Sequence, residues 1–175
     1  MAVDKKKKHL LWVIAFVGGF IILTGILSVG YIKTEAVMKP HMDELLTVPS
    51  MKAKPDEEPY IKGKLLPIDR RKKKIDSYIW SALPSMQLAH RYEEVQTVIL
   101  LEYGESQVGT YTNGTGAYVR TCAVTIIDYS RGVVLAARIF SGSAPPATTS
   151  SHTGAYGSNP RTEVVQYLKK LPRAG

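Results

Sequence analysis

Residues 95–140 read VQTVILLEYGESQVGTYTNGTGAYVRTCAVTIIDYSRGVVLAARIF. Val95–Tyr103 is a strand with an apolar centre, and Gln107–Thr112 is a second strand. Asn113-Gly114 makes a hairpin turn at the end of the second strand, because both residue types tolerate positive φ. Ala117–Tyr129 is a long third strand with Val119, Ala123 and Ile127 on one face and Tyr118, Cys122, Val124 and Ile126 on the other. Ser130-Arg131-Gly132 turns the chain into a fourth, Val133–Phe140. The expectation is a four-stranded antiparallel meander, one face against helices and the other partly wet or covered by a partner.

Helices flank this stretch. Upstream, Asp69 is a candidate cap, Ile75, Tyr78, Ile79, Ala82 and Leu83 fall at helical spacing, and Pro84 is a stop. Arg70–Lys74 would then form a first turn, with positive charge at the unfavourable end of the helix dipole. Such a turn calls for an anionic neighbour or for solvation. Downstream, Ser141–Gly157 is a loop, Asn159 caps a last helix with Pro160 at its first position, and Val164, Leu168 and Leu171 make its apolar stripe. Residues 68–175 thus read as a small two-layer α+β domain.

The N-terminal third differs in composition. Leu10–Ile32 is a run of 23 residues without a charge, roughly 34 Å long as a helix against a hydrocarbon core of about 30 Å. Trp12 and Tyr31 would stand at the two membrane interfaces, about 28 Å apart. Lys5, Lys6, Lys7 and Lys8 precede the run, which by the positive-inside rule keeps residues 1–9 cytoplasmic and places the C-terminal domain outside the cytoplasm, in the periplasm of a bacterial cell. The run exceeds the apolar region of about 7–15 residues in a cleavable signal peptide, so a signal anchor is expected. Ala15, Gly18, Gly19 and Gly25 share one helical face, where small residues let another helix approach. Residues 33–67 hold five of the ten prolines among mixed charges and read as an extended connector with a short helix at Met42–Leu46.

The chain offers few chemical motifs. Cys122 is the single cysteine, which excludes an intramolecular disulfide and Cys-based metal or haem motifs, and its apolar setting suggests a buried thiol. His9, His41, His90 and His152 lack metal-ligand spacing. Gly114-Thr115-Gly116 sits in a hairpin rather than between a strand and a helix, which removes a nucleotide reading. Asp128 with His152 and Ser150 or Ser151 is the one conceivable triad, and no spacing supports it. Half of the net charge of +8 lies in the first 33 residues, which leaves no nucleic-acid footprint. No cofactor, metal or nucleic acid is expected.

Taken together, these features imply a single-pass inner-membrane protein that is not an enzyme. The layout is that of an accessory subunit that helps assemble a respiratory, photosynthetic or envelope complex, with membrane lipid and other integral membrane subunits as partners. A membrane-anchored ligand-binding or sensing module is the alternative, and it requires a real pocket.

Overall fold

The computed structural model describes residues 30–54 and 56–174. It is an α+β fold in which strands predominate. In chain order the elements are helical residues 30–38 (α1), Met42–Leu45 (α2), Ile61–Lys62 (β1), Lys64–Asp69 (β2), Lys74–Ile75 (β3), Ser77–Ala82 (α3), Val95–Thr110 (β4), Gly116–Asp128 (β5), Val133–Ser141 (β6), Ala155–Tyr156 (β7), Arg161–Lys170 (α4) and Arg173–Ala174 (β8). The main sheet runs β3-β2-β4-β5-β6, with β7 also paired to β5, and β1 and β8 form a small parallel pair.

The meander is a three-stranded one, not four. Residues 107–110 continue β4, and the first strand is 16 residues long. Nothing in residues 104–107 breaks the ladder, because Gly104, Glu105 and Ser106 all find partners in β5. The hairpin turns at Asn113-Gly114, where Gly114 has φ +81° and its amide bonds the Tyr111 carbonyl. The sheet is also mixed: β2 lies parallel to β4, with Leu66 beside Val98 and Ile68 beside Leu100. Parallel neighbours need a crossover, supplied here by the β2–β3 hairpin, α3 and the stretch to residue 94.

That hairpin replaces the expected helix start at Asp69. Ile68 and Ile75 pair across it, and Lys73 takes a left-handed φ of +51°. Asp69 accepts the Lys72 amide at 3.0 Å and so closes the turn. Asp76 caps α3 instead, accepting the Ile79 amide at 2.9 Å. The helix ends at Leu83, held extended by Pro84.

The register assigns the faces. Ile99, Leu101 and Tyr103 of β4 stand beside Ile126, Val124 and Cys122 of β5 and Ala136, Arg138 and Phe140 of β6. This is the face covered by α3 and α4: Phe140 packs on Tyr167 at 5.2 Å, and Arg161 lies over Tyr103. Val164 and Leu168 are buried there, and Cys122 is fully buried. Burial pushes its thiol up to about 12, so it stays protonated at neutral pH. Leu66, Ile68, Val98, Leu100 and Ile127 share the other face and are buried as well. The chain from α1 to α2 contributes Met38, Met42 and Leu45 to the same core. Residues 33–67, expected as an extended connector with a short helix at Met42–Leu46, hold that helix as α2 at Met42–Leu45, and also part of α1, β1 and part of β2.

The structure corrects the membrane reading. Among the described residues no helix is long and apolar enough to cross a membrane. Tyr31, expected at a membrane interface, donates its hydroxyl to the Ile75 carbonyl at 2.9 Å and packs edge-on against Trp80 at 6.4 Å. Thr34, three residues on, is 3% exposed. Within residues 31–38, Thr34 and Met38 are buried in the fold, while Ile32 and Val37 are exposed. Trp12, Ala15, Gly18, Gly19, Gly25 and Lys5–Lys8 lie outside the described residues. The single-pass anchor, the accessory-subunit layout deduced from it and the inner-membrane location are withdrawn as conclusions.

Candidate functional site

Two cavities and one open sheet edge stand out. The larger cavity, about 630 Å³, lies where α1 meets α3. Its walls are Tyr31, Ile32, Trp80, Leu83 and Leu88, with Ser77, Ser81, Ser85 and His90 adding polar atoms. Both ring nitrogens of His90 are engaged, Nδ1 with Thr34 Oγ1 at 3.3 Å and Nε2 with Ser85 Oγ at 3.2 Å. The ring stands perpendicular to Trp80 at 5.3 Å. These bonds hold the imidazole as a wall of the cavity. The space suits an apolar body with one polar contact.

The second cavity, about 550 Å³, is lined by Arg71, Tyr103, Gly104, Glu105, Arg120 and Asn159. Three separate stretches build it. The β2–β3 turn supplies Arg71, whose Nη1 donates to the Tyr103 carbonyl at 3.2 Å. The β4–β5 ladder supplies Tyr103, Glu105 and Arg120, with Glu105 directly opposite Arg120. The run into α4 supplies Asn159. Tyr103 is fixed from behind, its hydroxyl donating to Asp76 at 2.9 Å. Burial and then the Asp76 charge push its ionisation far above the usual phenol value.

A crossing of two backbones delivers Asn159 to this place. Gly142 and Gly157 pass so close to the opposite chain that a Cβ on either would fall within 2 Å of a carbonyl oxygen, at 1.7 Å from Ser158 and 1.8 Å from Ser143. Ser143 and Ser158 exchange hydroxyl–amide bonds, both 2.9 Å. Asn159 does not cap α4. Pro160 occupies that position without a side-chain bond, and Asn159 Oδ1 is buried with no hydrogen-bond partner.

The open edge belongs to β6. Among the described residues its outer side is met only at Val134, where residues 51–53 run alongside: Val134 donates to Met51 at 3.0 Å and Ala53 donates back at 2.9 Å. Gly142 donates inward to Arg120 at 2.8 Å. The alternation of an antiparallel ladder then turns the N–H and C=O groups of Ala137, Ile139 and Ser141 outward, and none has a partner among the described residues. Ile139 is 70% exposed.

The triad of Asp128, His152 and Ser150 or Ser151 is not assembled. Asp128 is fully buried and bonded to the Tyr60 hydroxyl at 2.7 Å, the Ser130 hydroxyl at 2.7 Å and the Arg131 amide at 3.0 Å. Ser151 instead accepts Thr115 at its carbonyl, 2.7 Å, which straps the loop to the hairpin tip. Glu94 accepts the His90 amide at 2.9 Å and pairs with Lys64 at 3.0 Å, a structural tie. Of the run Arg70–Lys74, Arg70 pairs with Glu102, Lys72 with Asp69 and Lys73 with Asp43. Arg120 was legible in the sequence, since it interrupts the face that Tyr118, Cys122, Val124 and Ile126 otherwise make apolar. Arg71, Asn159 and Arg161 carry no such local mark. No family model, curated protein or solved structure matches this chain.

Proposed function

We propose that this domain is a non-catalytic interaction module that joins a larger protein assembly by taking an extended segment of a partner protein along β6. The observation that carries this reading is the row of outward backbone groups at Ala137, Ile139 and Ser141, beside an exposed isoleucine. Unpaired strand edges are templates for strand addition. The same edge already receives one extended segment, residues 51–53 at Val134, so its geometry admits a neighbour. Ile139 supplies the apolar contact that an added strand would cover.

The test is native mass determination of the full chain purified through a C-terminal tag, alongside Ile139→Pro. Proline at this position removes an outward amide and leaves the β5 ladder intact. A stoichiometric partner that Ile139→Pro loses, with unchanged thermal unfolding, supports the module. A chain that purifies alone, or a partner that Ile139→Pro retains, overturns it. A second reading, a ligand-binding module, draws on the 630 Å³ cavity at Trp80, a volume within the range of small-molecule sites.

A further inference from the structure

We infer that the cavity between the β2–β3 turn, the β4–β5 ladder and the start of α4 is an oxyanion site, built to take a phosphate-type group. Arg71 and Arg120 line it from two different elements. Arg161 stands behind Tyr103, its guanidinium carbon 5.0 Å from that ring and 5.5 Å from the ring of Tyr78. Among the described residues none of these three arginines makes an ion pair with a carboxylate, while Arg70, Lys72 and Lys73 in the adjoining turn all do. Arg71 gives one donor to the Tyr103 carbonyl and Arg120 lies over the Tyr156 ring at 5.0 Å, contacts that leave their charge without a carboxylate partner.

Polar atoms at the same place are left over too. Arg161 Nε and Asn159 Oδ1 are buried without partners, the two such side-chain atoms among the described residues. Arg161 Nε is a donor that an anion oxygen or water can satisfy, while Asn159 Oδ1 is an acceptor that needs a donor such as water or the hydroxyl of hydrogen phosphate. The helix that begins here, α4, has ten residues and no side-chain cap on its first-turn amides, an end that favours anions.

Asp76 and Asp69 lie close enough to Arg161 to stabilise its charge, so the charge the site leaves open is that of Arg71 and Arg120. Asp76 is committed to the Ile79 amide and the Tyr103 hydroxyl, and Asp69 to the Lys72 amide and ammonium. Glu105 is the one acid in the lining. It lowers, without cancelling, the positive potential that the two lining arginines set for a phosphate-type group. Guanidinium forks suit the tetrahedral oxygens of such a group.

The test is calorimetric titration of the full chain with inorganic phosphate at constant ionic strength, with acetate and sulfate as comparison anions. One saturable site is expected, filled by phosphate and sulfate and at least tenfold more weakly by acetate. Arg71→Gln and Arg120→Gln each weaken it about tenfold, Glu105→Gln tightens it, and Arg70→Gln, next in sequence but paired with Glu102, leaves it unchanged. Thermal unfolding without phosphate reports that each variant is folded. An absence of saturable binding, unchanged affinity in both lining-arginine variants, or an equal loss in Arg70→Gln overturns the site. None of these readouts depends on the β6 edge, so this site and the docking module stand or fall separately.

Discussion

Asp76 links two elements through one carboxylate. Oδ1 accepts the Ile79 amide at the head of α3, and Oδ2 accepts the Tyr103 hydroxyl on β4, both at 2.9 Å. The residue is 5% exposed, so water does not replace either bond when the side chain is removed. Asp76→Ala is expected to lower stability by about 2 kcal/mol, combining a lost cap with a buried hydroxyl left unpaired. Asp76→Asn retains an acceptor for one of these donors and should lose less. Urea unfolding decides this: a midpoint unchanged by Asp76→Ala would show that the cap is dispensable. Tyr103 also borders the arginine cavity, so this carboxylate sets the back wall of the candidate anion site.

At the scale of elements, the segment from α1 to α2 is where local and global signals part. Lysines, prolines and acids in residues 33–67 hide the few apolar positions that matter, Met38, Met42 and Leu45, of which Met38 and Leu45 are fully buried. Polar ties hold the segment to the sheet. His41 stacks on Tyr92 at 3.8 Å, and Glu44 accepts the hydroxyls of Tyr92 and Tyr129, both at 2.7 Å. Leu45→Ala is predicted to cost about 2–5 kcal/mol, the range for truncating a buried leucine. Denaturant unfolding of the full chain measures it. A loose connector would show no change, and that result would detach the segment from the core.

For the molecule as a whole, a buried carboxylate closes the distance between remote parts of the chain. Asp128 holds Tyr60 and the β5–β6 turn together, Arg131 reaches Glu57 at 2.6 Å, and Lys62 reaches Ser130 at 3.0 Å. Burial opposes ionisation of Asp128. The hydrogen bonds from Ser130, Tyr60 and the Arg131 amide outweigh it and hold the carboxyl below the usual range. A depressed folded-state value stabilises the fold above the unfolded-state value of about 3.9, and that contribution is lost as pH falls through the folded-state value. The net charge, already +8, also grows more positive on acidification and adds repulsion. Stability should therefore hold near neutrality and fall steadily below about pH 4. Asp128→Asn should be less stable by about 2 kcal/mol at pH 7 and show a shallower acid dependence. Urea unfolding across pH 3–7 measures both, and identical pH slopes for the two proteins would remove Asp128 as the cause.

Local periodicity and turn chemistry were enough, in the sequence by itself, for the features that depend on neighbours in the chain. The Asn113-Gly114 hairpin, the two faces of residues 117–129, the turn at 130–132, the buried stripe of Val164, Leu168 and Leu171 and the buried Cys122 are all of this kind. Such features need only the period of the backbone and residues that accept its sharp turns. Tertiary structure alone decided the parallel placement of β2 against β4, the conversion of residues 70–73 from a helical turn to a hairpin, the packing of residues 31–45 into the core, and the meeting of Arg71, Arg120, Asn159 and Arg161. Most of these join groups tens of residues apart, with no repeat or spacing in the chain to announce them. In the hairpin, pairing Ile68 with Ile75 on a buried sheet face outweighed a helical pattern worth only a few tenths of a kcal/mol per residue.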